Sequence, residues 1–236
     1  MTDACDSTST MTIDWPLHRR LTMVGIGYIP FLLAAVVVGC MIVLGRRWGI
    51  ARGLGCGALL IYLLPPLAYR IVSLLFGPQS GRHAVASAAF LRWWLSAQWQ
   101  VIFNRLPMLE EVLRIVPGLY SAWLRLWGAK IGSLVYWSPG VAVLDRPFVH
   151  IGKRVVFGAG VRLNPHVIVP GKKAQAQLWL APVVLGDDAL IGGYSLITAG
   201  CRIPAGLSVP AGKYFRPFST WQGNQPAQSR YEGDSN

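Results

Sequence analysis

The chain has 236 residues, 53% of them apolar and only 14% charged, and its formal net charge is +12. That is too apolar for an ordinary soluble domain, so membrane segments are sought first. The basic balance suits nucleic acid, anionic lipid or a phosphorylated small molecule. No nucleic-acid motif is present, which favours lipid and phosphate. The cysteines at positions 5, 40, 56 and 201 lack metal-ligand spacing and read as isolated reduced thiols.

Residues 1–16 are polar and read as a disordered tail, without the basic start and short apolar stretch of a signal peptide. Leu21 to Gly45 is a run of 25 residues without a charge, long enough for a bilayer-spanning helix. Arg46, Arg47 and Arg52 follow, and then a second apolar run from Leu54 to Tyr69, which Ile71 to Phe76 extends. Pro65 and Pro66 are expected to break this second run. Arg19 and Arg20 precede the first run, so both flanks favour the cytoplasm and charge alone fixes no topology. A hairpin that enters and leaves by one leaflet and a pair of full spans both remain, so 17–80 reads as transmembrane or re-entrant helices.

In 81–128, Trp93, Trp94, Trp99, Trp123 and Trp127 alternate with Arg92, Arg105, Arg114 and Arg125. This makeup predicts amphipathic helices at the headgroup level of a membrane. The alternative makes the tryptophans the core of a helical subdomain.

From Ile131 the period changes to six. Ile131, Trp137 and Val143 are followed by Ile151, Phe157, Leu163 and Val169, then by Leu185, Ile191, Ile197, Ile203, Val209 and Phe215. Val149 and His150 form a two-residue insertion, and residues 170–184 form a loop that leaves the repeat. A period of six matches neither the helical 3.6 nor the alternation of a sandwich strand. It predicts a solenoid over 129–217 in which three hexads close one triangular coil and the repeated apolar residue points inward. Residues 218–236 read as a polar C-terminal tail.

The repeat resembles the hexapeptide-repeat acyltransferase superfamily, whose members are left-handed β-helices. Over about residues 118–217 it resembles the membrane-associated subgroup, through the stretches Leu124 to Gly132 and Val183 to Gly193. The implied fold is an all-β left-handed parallel β-helix preceded by an α-helical membrane-anchoring region. The implied activity is transfer of an acyl group, acetyl being one candidate, to a hydroxyl or amine of a lipid-like or membrane-delivered acceptor. The donor is an acyl-CoA or acyl carrier protein thioester, used as co-substrate, with no permanently bound cofactor. A homotrimer with active sites between subunits is implied as well. The expected location is the bacterial inner membrane, with the β-helix facing the cytoplasm.

His18 and His83 flank apolar segments and read as interfacial residues. His166 follows Asn164 and Pro165 at a turn position of its hexad, so it points away from the solenoid core, and the excursion begins four residues later. In the resembling enzymes a histidine before this loop is the general base, a role that suits the near-neutral pKa of imidazole. Counting the insertion, position 166 stacks on about position 146, which makes Asp145 and Arg146 its candidate neighbours and Asp145 a candidate to orient the ring. His166, Asp145 and Asn164 make up the candidate catalytic set.

The resemblance puts the pantetheine arm of the donor along Gly192, Gly193, Ala199 and Gly200, and cationic residues are expected at its phosphates: Lys172 and Lys173 in the loop, or Lys213 and Arg216 at the end. Tyr194 and Trp179 are assigned to the acceptor cleft. Tyr194 is also a departure, because sugar acetyltransferases of the superfamily carry their base in that hexad. Two other function classes stay open: a non-catalytic, membrane-tethered trimeric scaffold, and a γ-carbonic-anhydrase-like metal enzyme. The second needs three interfacial histidines, where the repeat supplies only His150 and His166. No metal ligands are therefore assigned.

Overall fold

The computed structural model describes residues 15–77, 80–170, 176–223 and 226–228. Helices α1 (Leu17–Gly27), α2 (Ile29–Trp48) and α3 (Ile50–Phe76) come first. Leu17–Trp48 and Ile50–Phe76 are each long and apolar enough to cross a membrane, and few of their residues are buried within the protein. Gly49, with φ of 97°, turns α2 into α3. The two helices then run back antiparallel, with Leu33 and Val37 packed near Leu60, Ile61 and Leu64. Gly53 makes the close approach possible: a Cβ there would lie 2.5 Å from the Met41 carbonyl oxygen.

The break expected at Pro65 and Pro66 does not occur, and α3 runs through both. A proline has no N–H, so Pro66 leaves the carbonyl four residues before it, that of Tyr62, without its helical donor. Trp123 Nε1 supplies one, at 2.9 Å. A side chain from another element thus serves one of the two carbonyls that the prolines leave open.

Strand β1 (Gly81–Ala84) is followed by α4 (Ala88–Gln98), α5 (Val101–Arg105), α6 (Met108–Arg114) and α7 (Leu119–Trp127). The surface position expected for the tryptophans is corrected here. Trp93, Trp123 and Trp127 are 5%, 3% and 0% exposed, and Trp94 and Trp99 are half-buried. They are the core of a helical subdomain, as the alternative reading had it. Tyr69, Phe103, Tyr120, Trp123 and Trp127 join one continuous apolar cluster with the β-helix interior.

The β-helix is built from three parallel ladders. The first stacks β2 (Lys130–Ile131), β5 (Val149–Ile151), β10 (Val183–Leu185), β13 (Arg202–Ile203) and β16 (Ser219–Trp221). The second stacks β3 (Tyr136–Trp137), β6 (Val156–Phe157), β11 (Leu190–Ile191) and β14 (Ser208–Val209). The third stacks β4 (Ala142–Val143), β7 (Arg162–Asn164), β12 (Leu196–Thr198) and β15 (Tyr214–Phe215). Coils of three very short parallel strands fit the left-handed β-helix: the solenoid is what the hexads predicted, and its hand is what the family resemblance implied. Every repeated residue from Val143 to Phe215 that lies in these ladders is buried, as the period of six requires.

The first ladder pairs Lys130, His150, Val184, Arg202 and Thr220 in turn. Successive steps of 20, 34, 18 and 18 residues mark two irregular coils, and in both the extra residues fall between the third and the first ladder, at one corner of the triangle. The short one is a 3-10 turn, Arg146–Phe148. The long one is a hairpin rather than an irregular loop: β8 (His166–Pro170) pairs antiparallel with β9 (Ala176–Leu180), which pairs antiparallel with β1. An isolated hairpin is marginal in water, and the third strand borrowed from the helical region supports it.

The ends of the stack are covered. Helix α7 lies under the first coil, and Arg125 donates from Nε to the Ile131 carbonyl and from Nη2 to that of Gly132, at 2.9 and 2.8 Å. At the other end the coil continues past Phe215 into residues expected to be tail. Trp221 lies 5.5 Å from the Phe215 ring and donates from Nε1 to the Ser208 carbonyl, and β17 (Pro226–Gln228) closes β16 antiparallel.

Candidate functional site

The corner shared by the insertion and the hairpin brings His166 over Asp145. His166 opens β8, and Asp145 precedes the 3-10 turn in a left-handed backbone conformation (φ 44°). His166 Nδ1 is hydrogen-bonded to Asp145 Oδ2, and the imidazole is 26% exposed while the carboxylate is buried. Burial acts against the imidazolium, but the hydrogen bond and charge of Asp145 outweigh it and hold the His166 pKa above the ordinary histidine value. With Nδ1 engaged, Nε2 is the ring nitrogen left for a reacting group.

A third side chain completes the arrangement from the helical region. Trp93 of α4 donates from Nε1 to Asp145 Oδ1 at 2.8 Å, and its ring centroid lies 4.8 Å from that of His166. Behind Asp145, Arg146 turns away from His166 into the helices. Its backbone N–H donates to Gln100 Oε1 and its guanidinium reaches Gln100, Asn104 and Glu110. Glu110 also accepts from Tyr120 Oη at 2.7 Å. Burial first, and then the Glu110 charge, push the Tyr120 hydroxyl up, so it stays a donor. Arg146, a sequence candidate for contact with His166, thus braces the turn instead.

The other expected residues are distributed as follows. Asn164 pairs with Thr198 in the third ladder, and its Oδ1 is buried without a hydrogen-bond partner. Trp179 is in register with Val167, one residue along from the His166–Leu180 pair, so alternation puts it on the opposite face of the hairpin. There it packs with Ala181, Ala199 and Phe218, and the Arg82 guanidinium lies 4.4 Å from its ring. Gly200 lies beneath Phe218: a Cβ at Gly200 would sit 2.2 Å from the Phe218 ring. Gly192, Gly193 and Lys213 lie at another corner with Tyr194, so one chain does not bring them to His166. Gly192 has a packing role, since a Cβ there would meet the Ala211 backbone nitrogen at 2.3 Å. Tyr194 is 79% exposed, has φ of 57°, and lays its ring over Gly160. Lys172 and Lys173 lie outside the described residues.

Among the described residues no three His, Cys, Asp or Glu side chains converge as a metal site. His150 sits in the first ladder beside Lys130 and Val184, and burial, then Lys130 and Arg202, lower its pKa. Sequence reasoning did not reach Trp93, Gln100 or Glu110. One signal was present: Glu110 and Glu111 are the only acidic residues between Asp14 and Asp145. A carboxylate so isolated in a basic, apolar stretch has many cations to serve.

No protein-family model and no curated protein matches the chain. Among solved structures it is similar to a hexapeptide-repeat-containing acetyltransferase from Vibrio cholerae, at 18% identity and a TM-score of 0.41, covering 57% of this chain and 93% of that one. It is also similar to a maltose O-acetyltransferase from Clostridium difficile, at 17% identity and a TM-score of 0.35, covering 55% and 86%. A galactoside acetyltransferase in complex with coenzyme A aligns at 15% identity and a TM-score of 0.34, covering 57% and 84%.

Proposed function

We propose that this protein is a membrane-bound acyltransferase that uses His166 as general base. The observation that carries this reading is the His166–Asp145 hydrogen bond at the corner where the hairpin leaves the β-helix. Asp145 accepts from Nδ1 and orients the ring. Nε2 takes the proton of the acceptor hydroxyl or amine as its oxygen or nitrogen attacks the thioester carbon. The tetrahedral species then collapses, the carbon–sulfur bond breaks, and the sulfur leaves with the proton carried by Nε2.

The donor in this reading is an acyl-CoA or acyl carrier protein thioester. The acceptor is lipid-like or delivered at the membrane, because two helices suited to spanning a bilayer precede the site. A homotrimer at a bacterial inner membrane, β-helix toward the cytoplasm, completes the proposal. Tyr136, Val156 and Leu190 form an exposed apolar column along the second ladder that suits contact with another copy.

The test is thioester consumption by membranes carrying the protein, with labelled acyl-CoAs of several lengths and extraction of acylated lipid. His166→Ala is expected to abolish acylated product. Full turnover by His166→Ala would refute the assignment.

A further inference from the structure

We infer that Trp93 is a positioning residue for the His166–Asp145 pair, so that the helical region contributes a part of the reaction centre. The inference rests on the proposed acyl transfer for its catalytic meaning, but its geometry stands independently. A carboxylate on a turn can rotate about its last side-chain bond and offer either oxygen. Here both oxygens are held: Oδ2 by His166 Nδ1 and Oδ1 by Trp93 Nε1. Asp145 and Trp93 are both buried, so water does not compete for either bond. The Trp93 ring, tilted 58° to the imidazole at 4.8 Å, also blocks the ring from swinging away from Asp145.

Both side-chain hydrogen bonds of Asp145 go to Trp93 and His166, so no coil of the β-helix replaces the indole. Trp93 is itself fixed by Phe90, at 5.3 Å, which packs against Trp15 just before α1. The charged and titratable surroundings of His166 are few. The Asp145 turn supplies the carboxylate, with Arg146 directed at Glu110. On α4, Arg92 is exposed and its guanidinium lies toward Phe76. On β9 its register partner is the uncharged Leu180. On β1, Arg82 lies against Trp179 on the other face, and His83 is beside Gly81. Tyr69 of α3 is within reach of the Asp145 charge.

The test uses the full chain in detergent with labelled histidine and tryptophan, followed by NMR across pH. In the unaltered protein, one indole N–H resonance is expected to move with the same midpoint as His166, which a His166→Gln sample identifies. Trp93→Phe keeps a ring and removes the donor. It is expected to raise the His166 midpoint by about half a unit to one unit, because Oδ1 is then free to favour the imidazolium. It should also lower kcat about tenfold while the thioester KM stays the same, the loss expected for one hydrogen bond to a charged group. Trp94→Phe is the control, since Trp94 Nε1 has no partner and its ring stacks on Phe90 in the same cluster. It should leave the His166 midpoint in place.

An unmoved His166 midpoint in folded Trp93→Phe overturns the inference. So does the absence of any indole resonance that titrates with His166 in the unaltered protein, a result that needs no variant to fold. If the indole and histidine titrate together while the unaltered protein consumes no thioester, the positioning stands and the acyl-transfer reading fails.

Discussion

Replacing Arg146 with Met should destabilise the protein by about 3 kcal/mol, the lower end of the range for breaking a buried ion pair. The Arg146 side chain is 1% exposed and that of Glu110 is 5% exposed, so neither charge recovers solvation when its partner is lost. The substitution removes the guanidinium donors to Glu110, Gln100 and Asn104. Glu110 retains Arg114 Nη2 at 3.2 Å and Tyr120 Oη at 2.7 Å, which keeps the cost from reaching the upper end. Adding Glu110→Leu should then cost much less than it does alone, with a coupling of about 2 kcal/mol in the double-mutant cycle. Tryptophan fluorescence during denaturant unfolding in detergent reads the change, because Trp123 and Trp127 lie 5.6 and 5.8 Å from the Arg146 guanidinium carbon. A loss below about 1 kcal/mol for Arg146→Met would refute the argument, since it would mean that water reaches the pair.

The His166 pair makes stability pH-dependent. Its folded pKa is raised above the unfolded value, so its contribution is full below about pH 6.5 and is lost as pH rises through the folded pKa. Melting temperature followed across that window should fall more steeply for the unaltered protein than for His166→Asn; parallel slopes would contradict the assignment. Gly158→Ala should cost about 1–3 kcal/mol by overpacking, because its Cβ would lie 2.4 Å from the Gly193 backbone nitrogen in the next coil. Gly206→Ala has nothing within 4 Å and meets only the strain of a φ of 71°, so it should cost about 1 kcal/mol in the same melts.

The β-helix was legible because its signal is local and repeated: one inward apolar residue every sixth position, seen again in each coil. The His166–Asp145 contact was legible for the same reason, since counting residues around a solenoid predicts stacking. The indoles of 81–128 were misread because tryptophan has an amphipathic body and a polar tip. It serves a headgroup layer and a core containing carbonyls equally well. Which one it meets depends on contacts remote in sequence, such as Trp123 with Tyr62 or Trp93 with Asp145. The hairpin was hidden likewise, because its third strand comes from Gly81–Ala84, far upstream.

The closed ends of the stack have a consequence for the protein in bulk. A parallel coil ends in a row of carbonyls and amides that fits the next coil of any similar chain, so an uncapped solenoid is a seed for filaments. Arg125 occupies the Ile131 and Gly132 carbonyls at one end, and Arg114 Nη2 takes that of Val141 at 2.7 Å. Trp221 and the reversed strand β17 do the same at the other end. These contacts occupy part of each end and so work against end-to-end stacking of copies.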